Sequence, residues 1–450
     1  MASGAQSIFA ISSGAGRAGG AVLRLSGPAT ASAVEALAGT LPPPRTACLR
    51  HLRAPGSGEV IDRGLVLWFP GPASFTGEDL AEFHVHGSRA VLSGLLDALG
   101  RLPGLRPAAP GEFTRRAFDH GKLDLAEVEG LADLIEADTA AQRRQALRQM
   151  EGGLSRVIEG WRDRLMTALA HLEAAIDFSE EEIPADLDAQ VGAIVSVLKG
   201  EMAGYLADQA VGERLREGVT VAIVGPPNAG KSSLLNTLAR REAANLSERA
   251  GPPRDVSEVA LDIGGFPVVM IDTAGLRDAG NAALDPVEVE GIRRAKARAA
   301  EADLKLAVFD LATWPVLDKA TLGLVDDATL VVLNKADAVA VPEAPAVVGQ
   351  AAWPLSLKTG AGIERLVACL EERVAAQLQR AVEAPLLTRA RHREAVADCV
   401  AALERVGGAG EVALQAEELR LALRALGRIL GRVDVEDLLD VIFRDFCIGK

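Results

Sequence analysis

Only four cysteines occur in 450 residues, at positions 48, 369, 399 and 447, and no two share a CxxC or zinc-type spacing. Structural disulfides and a zinc site are not expected, and a reducing cytoplasm fits. Aromatics are also scarce, at 4%. The longest apolar runs, such as 219–224 and 330–333, fall far short of the ~20 residues that a bilayer-spanning helix needs, so no membrane span is expected. Positive charge is in deficit: 48 Lys and Arg against 62 Asp and Glu leave a formal net charge of −14. A protein that wraps nucleic acid unaided shows the reverse, so an RNA substrate would need local basic patches or a partner's field. No acid precedes Glu35 in an N-terminus rich in Ala, Gly and Ser, a composition shared with transit peptides. It lacks the apolar core of a secretory signal, and Ala21-Val22-Leu23-Arg24-Leu25 reads as a strand of a first domain.

What is present is hydrophobic content of 49%, carried by Ala, Leu and Val, in a chain long enough for two or three domains. Residues 1–121 mix β-like runs (65–69 and 81–86) with Gly/Pro turns such as Pro70-Gly71-Pro72, which predicts an α+β domain. From Lys122 the pattern turns helical. Leu123, Val128, Leu131 and Ile135 form one stripe, and Leu147, Met150, Leu154, Val157, Trp161, Leu165, Leu169, Leu172 and Ile176 a second, predicting a pair of long helices. Continuous apolar strands alternating with glycine turns and helical stretches over 217–375 predict a parallel α/β sheet. The helical pattern resumes over 376–450, with Leu419, Leu423, Leu426, Ile429, Leu430 and Val433 on one face. The simplest architecture is an α/β multidomain chain in which the α/β unit is inserted into a helical domain built from 122–216 and 376–450.

The chain ends Phe446-Cys447-Ile448-Gly449-Lys450, with a cysteine four residues from the terminus as in a prenylation box. Gly449 and Lys450 fill places where that box requires other residues, so a lipid anchor is a poor reading. The apolar lead-in Leu438, Leu439, Val441, Ile442, Phe443 and Phe446 predicts a packed tail.

The strongest signal is Gly225-Pro226-Pro227-Asn228-Ala229-Gly230-Lys231-Ser232-Ser233, which follows an apolar strand and opens a helix. Gly225 and Gly230 let backbone N–H groups wrap phosphates, with Ala229 between Asn228 and Gly230. Lys231 neutralises the β/γ oxygens and Ser232 offers a hydroxyl to Mg²⁺. Asp272-Thr273-Ala274-Gly275 after 268–271 places an acid near Mg²⁺ and a glycine N–H where it senses the γ-phosphate. Asn334-Lys335-Ala336-Asp337 after 330–333 supplies a carboxylate for the N1 and amine donors of guanine. Ser356-Leu357-Lys358 takes the place of the loop that backs the base. Their order at strand ends identifies a GTPase. In the first switch region, Gly251-Pro252-Pro253-Arg254-Asp255 has prolines, which carry neither hydroxyl nor N–H and cannot ligate Mg²⁺. Slow or differently closed hydrolysis is expected.

Over its whole length the sequence resembles the MnmE (TrmE) family of tRNA-modifying GTPases. The resemblance is carried by Pro70-Gly71-Pro72 through Ser74-Phe75-Thr76-Gly77-Glu78-Asp79, Pro110-Gly111-Glu112-Phe113-Thr114-Arg115-Arg116-Ala117-Phe118 and Lys122-Leu123-Asp124-Leu125. The phosphate loop, Asp272-Thr273-Ala274-Gly275-Leu276-Arg277 and the FCIGK terminus complete it. It implies a folate-binding, dimerising N-terminal domain, a helical domain and an inserted Ras-like P-loop G domain. It also implies a homodimer and an FAD-dependent MnmG-type partner in a heterotetramer. Together these add an aminomethyl or carboxymethylaminomethyl group to C5 of the wobble uridine of certain tRNAs, with 5,10-methylene-tetrahydrofolate as carbon donor. The family's start matches residues 14–27, which implies no cleavable leader.

Carried over by position, the resemblance implies folate contacts at Arg24, Glu82, Lys122 and Lys450. It implies a K⁺ ion in place of an arginine finger, ligated by Asn228 and reached by Ser247, and a water-positioning Glu288, with Glu290 as a neighbour competing for that role. Cys447 is expected to support the modification step. Two other readings stand beside this one: a ribosome- or RNA-assembly GTPase, and a folate-binding GTP switch that barely hydrolyses.

Overall fold

The structure is a computed structural model, and it describes residues 6–14, 16–177, 187–207, 209–245, 258–272, 300–383, 387–407, 411–433, 439, 442–444, 446 and 449. The chain divides into two compact units: residues 1–132, 149–166 and 419–450 form the first, and 133–148 and 167–418 the second. Among the described residues no helix is long and apolar enough to cross a membrane.

The first unit is built on a six-stranded sheet of β1 (Ser7–Ile11), β2 (Ala18–Ser26), β3 (Cys48–Arg53), β4 (Val60–Phe69), β5 (Leu80–Gly87) and β6 (Leu105–Pro107). Their spatial order is β3-β4-β5-β2-β1-β6, antiparallel except for the β1/β6 pair. Alternation sets the two faces. Leu23 and Leu25 of β2, Val66 and Trp68 of β4 and Phe83 of β5 pack with Val34 and Leu37 of helix α1 (Thr30–Ala38) and with Leu95 and Leu99 of α2 (Arg89–Gly100). Each such side chain contributes about 1.5–3 kcal/mol by leaving water. On the opposite face Ile8 and Ala10 meet Phe75 and Phe113, the latter from α3 (Glu112–Asp119).

Helix α4 (Leu125–Glu136) starts with a reciprocal cap: the Glu127 N–H donates to the Asp124 carboxylate and the Asp124 N–H to the Glu127 carboxylate, both at 2.9 Å. The second of the two long helices expected from the sequence is two helices, α5 (Ala140–Met150) and α6 (Gly153–Asp177). Gly152 breaks it with φ +79°, a left-handed conformation that interrupts the 3.6-residue repeat although the apolar stripe runs on. Residues of the tail do pack: Leu439, Phe443 and Phe446 are buried against Leu125, Val128 and Phe118, with the Phe443 ring centroid 6.4 Å from Phe118 and 6.0 Å from Phe446.

The second unit holds a seven-stranded sheet of β7 (Val219–Val224), β8 (Glu258–Ile263), β9 (Phe266–Asp272), β10 (Leu304–Asp310), β11 (Thr329–Asn334), β12 (Ala346–Val347) and β13 (Gln350–Pro354), in the order β12-β13-β11-β10-β7-β9-β8. β13, β11, β10, β7 and β9 run parallel, and β8 and β12 add antiparallel edges. Every residue of β11 is buried, as expected for a parallel strand covered on both faces. One face packs on α8 (Gln209–Glu217), α9 (Lys231–Asn245) and the helix Ile363–Glu383, through Leu215, Leu234, Leu238, Leu366 and Leu370. Helix α7 (Leu187–Ala207) lies against the helix Ala390–Val406 in the same unit.

Candidate functional site

The parallel strands of the second unit end on one edge, where α/β sheets bind ligands. β7 delivers the chain into the loop 225–230, which feeds α9. Two glycines are required there by close approach: a Cβ on Gly225 would strike the Val308 carbonyl of β10, and one on Gly230 the Asn334 amide. Asn228, at the exposed tip, adopts φ +63°, which asparagine tolerates. Lys231 is 8% exposed, and its ammonium donates to the Gly225 and Pro226 carbonyls at 2.8 and 3.0 Å. Burial pushes it below the usual lysine range, partly opposed by Asp272 and Asp318. A polyphosphate would restore the charge balance that burial disturbs. Ser232 and Ser233 present exposed positions in the first turn of α9, and Asp272 closes β9 beside Ile223 of β7. A serine hydroxyl, a nearby carboxylate and phosphate oxygens are the hard donors that Mg²⁺ prefers.

A second motif, around Asn334, is tied to this loop. Asn334, at the end of β11, donates its amide to the Ala229 carbonyl at 2.8 Å and accepts from the Leu357 N–H at 3.3 Å, so it fastens the phosphate loop to the loop after β13. The Ser356 hydroxyl donates to Asp337 at 2.6 Å and accepts from the Thr359 N–H at 3.2 Å. The Ser356 hydrogen bond, with Lys358 behind it, holds the Asp337 carboxyl below its ordinary range, so it stays an acceptor. Lys358 itself is exposed. Lys335, at φ +66°, reaches Asp310 at the end of β10 with a 2.6 Å ion pair. Asp310 was not picked out in the sequence; its placement directly after the apolar run 306–309 was the available signal. Ser247, Thr273, Ala274, Gly275, Glu288 and Glu290 lie outside the described residues.

In the first unit, strand register makes Arg24 and Glu82 direct neighbours on β2 and β5. The guanidinium meets one carboxylate oxygen at 2.8 and 3.1 Å, and His84 meets the other at 3.1 Å. Burial alone would raise the Glu82 carboxyl, but Arg24 and then His84 outweigh it and the group titrates below its usual range. Arg24 also lies 5.6 Å from the Phe75 ring centroid and 5.9 Å from that of Phe113. Lys122 contacts this region through the loop 70–79 that carries Phe75, its ammonium donating to the Pro72 carbonyl at 3.1 Å. Ser26, Thr76 and Glu78 continue the polar face, with Ser26 to Thr76 at 2.7 Å, Ser26 to Glu78 at 2.8 Å and Arg116 to Glu78 at 2.9 Å. These partners were missed because the loop before β5 and helix α3 bring Thr76, Glu78 and Arg116 to the end of β2 from far along the chain. Cys447 and Lys450 lie outside the described residues. Between them Gly449 is described, at φ +100°, and a Cβ there would strike the Ile11 carbonyl of β1. β1 is the strand paired with Arg24's own, with Ala10 opposite Arg24.

Comparison with known proteins covers the whole chain. The family model described as the MnmE helical domain matches residues 125–447, and that described as the GTP-binding protein TrmE N-terminus matches 7–122. The tRNA modification GTPase MnmE of Parvibaculum lavamentivorans is 57% identical over 450 residues, covering 99% of this chain and 100% of that one. The mitochondrial 5-taurinomethyluridine-[tRNA] synthase subunit GTPB3 of Danio rerio is 50% identical over 472 residues, covering 99% and 94%. Among solved structures, the FeoB G-domain of Methanococcus jannaschii covers 35% of this chain and 97% of that one, at 21% identity and a TM-score of 0.26.

Proposed function

The chain belongs to the MnmE family of tRNA modification GTPases, and from that premise we propose that GTP hydrolysis in its second unit drives a folate-dependent modification of the tRNA wobble uridine. It is a GTP-hydrolysing enzyme of tRNA modification. The observation that carries the nucleotide reading is the convergence at one sheet edge of Lys231, Asn334, Asp337 and Ser356, tied through the Asn334 and Ser356 side chains.

Lys231 would leave the two carbonyls it now bonds and turn to the β/γ-phosphate oxygens, where a buried ammonium gains most. Ser232 and Asp272 would flank Mg²⁺, which spreads the charge that develops on the transferring phosphoryl group. Asp337 would accept hydrogen bonds from the N1–H and amine of guanine, with Ser356 holding the carboxylate in place. Glu288 would position the attacking water and Asn228, with Ser247, the K⁺ ion.

In the first unit Arg24, Glu82, Lys122 and Lys450 would hold the reduced folate. Opening of the Arg24–Glu82 pair would free a guanidinium for the glutamate tail and a carboxylate for the pterin donors. Cys447 would act on the uridine or position it. The folate domain spans 1–121, the helical domain 122–216 and 376–450, and the G domain 217–375. The working assembly is a homodimer joined to an FAD-dependent MnmG-type partner. Nucleoside analysis of tRNA from cells lacking this protein is the test. Loss of the aminomethyl or carboxymethylaminomethyl group from wobble uridines is expected, and unchanged wobble uridines would refute the assignment.

A further inference from the structure

The Arg24–Glu82 pair has a histidine beside it that the folate contacts leave without a task. Glu82 and His84 stand two residues apart on β5, so both side chains leave the same face of the sheet. Arg24 uses only one of the carboxylate oxygens, through Nε at 3.1 Å and Nη2 at 2.8 Å, and His84 meets the other through Nε2 at 3.1 Å. Among the described residues these are the only hydrogen-bond partners that the Glu82 side chain has.

An ionised carboxylate can only accept, so the His84 ring carries its proton on Nε2 to make this bond. Its cross-strand neighbours do not compete for that proton: by register His84 stands between Val22 of β2 and Leu65 of β4, both apolar. Glu82 is flanked in the same way by Arg24 on β2 and Leu67 on β4. If Arg24 turns to a ligand, His84 is the donor left to Glu82 among the described residues. Burial by itself favours the protonated carboxyl, which has less acceptor capacity to offer a ligand than the carboxylate, and His84 opposes that change.

We infer that His84 is a positioning residue for the reduced folate: it fixes one Glu82 oxygen so that the other, released by Arg24, faces the donors of the pterin ring. The inference rests on the folate reading above and adds a residue to it. The chemistry of the site fits that ligand, since a guanidinium near the Phe75 and Phe113 rings and a largely buried carboxylate suit a flat heterocycle with N–H donors and an anionic tail. A carboxylate already held at one oxygen has little rotamer freedom left to lose, so less of the binding energy goes into ordering it.

The test titrates the full chain with 5-formyl-tetrahydrofolate, a reduced folate that resists oxidation, and reads the affinity from the heat of binding at neutral pH. H84A should bind about five- to tenfold more weakly, the worth of one hydrogen bond to a charged group. H84Q, whose amide can still donate to Glu82 and does not titrate, should stay within about twofold of the wild type. In an E82Q background H84A should add no more than about twofold, because a residue that acts through Glu82 has nothing left to act on. The His84 side chain is 40% exposed, so both variants should keep the wild-type urea unfolding transition. H84A binding like the wild type while E82Q binds weakly overturns the inference and leaves the folate reading standing. Equal losses in H84A and H84Q overturn the donor role, and a loss in H84A that persists undiminished in E82Q overturns action through the carboxylate. A wild-type chain that binds no reduced folate overturns both the inference and the folate reading.

Discussion

In the proposed guanine site, Asp337 is the residue that would decide which nucleotide is accepted. Its carboxyl is held below the ordinary range, so at neutral pH it is purely an acceptor, matched to the two donors of guanine's N1 edge. Asp337→Asn replaces half of that acceptor pair with a donor. GDP affinity should fall about 10–100-fold, the worth of charge-assisted hydrogen bonds, while xanthosine diphosphate, which presents a carbonyl where guanine has its amine, should gain. Competitive displacement of a fluorescent nucleotide measures both. Glu82 makes a different prediction, about stability. Its folded pKa is depressed, so the stabilisation is fully present above the ordinary carboxyl range and is lost as pH falls through that range toward the folded value. Arg24→Gln should lower stability at pH 7 by about 1–3 kcal/mol, because a buried carboxylate loses its main partner. It should also flatten the decline of the urea midpoint as pH falls below about 5. Equal declines in wild type and variant would show that the pair contributes nothing to the pH dependence.

At the scale of elements, the tail is stabilised by three buried side chains on α3 and α4. Phe443 is 3% exposed and touches both neighbouring rings, so Phe443→Ala should cost about 3–5 kcal/mol locally. Proteolysis should then cut the C-terminal segment much faster while leaving the GTPase rate alone. This docking was legible beforehand from the apolar spacing of Leu439, Ile442, Phe443 and Phe446, as were the strand and turn at 219–230 and the β-like runs within β4 and β5. In each case a local pattern is also the tertiary instruction. The break at Gly152 was hidden because an apolar stripe can pass through a left-handed residue without losing its spacing. The pairs Arg24–Glu82 and Lys335–Asp310 were hidden for another reason: strand register and parallel crossover bring together residues 58 and 25 apart. The family resemblance had singled out Arg24 and Glu82, and the Asn334-Lys335-Ala336-Asp337 motif Lys335, but neither could say that each is held by an internal partner.

For the whole molecule the proposed use of K⁺ in place of an arginine finger is a statement about how the phosphoryl-transfer transition state is reached. Pro252 and Pro253 lack the hydroxyls and N–H groups that a switch loop would offer to a metal ion or the γ-phosphate, so those two positions cannot supply them. Asn228 sits exposed at the tip of the phosphate loop at φ +63°, and its side chain carries a carboxamide oxygen, the donor type that a large monovalent cation takes. If K⁺ fills the place of the finger, single-turnover GTP cleavage should run at least about tenfold faster in K⁺ than in Na⁺ at equal ionic strength, a modest part of what an arginine finger contributes. Asn228→Ala should erase that difference while changing GDP affinity only a few-fold, since Lys231 and the loop backbone remain. If G-domain pairing shields the cation from water, the K⁺-dependent rate should also rise with enzyme concentration and the Na⁺ rate should not. A K⁺ effect that survives Asn228→Ala would move the ion to another ligand set, and its absence in the wild type would leave this G domain as a slow switch.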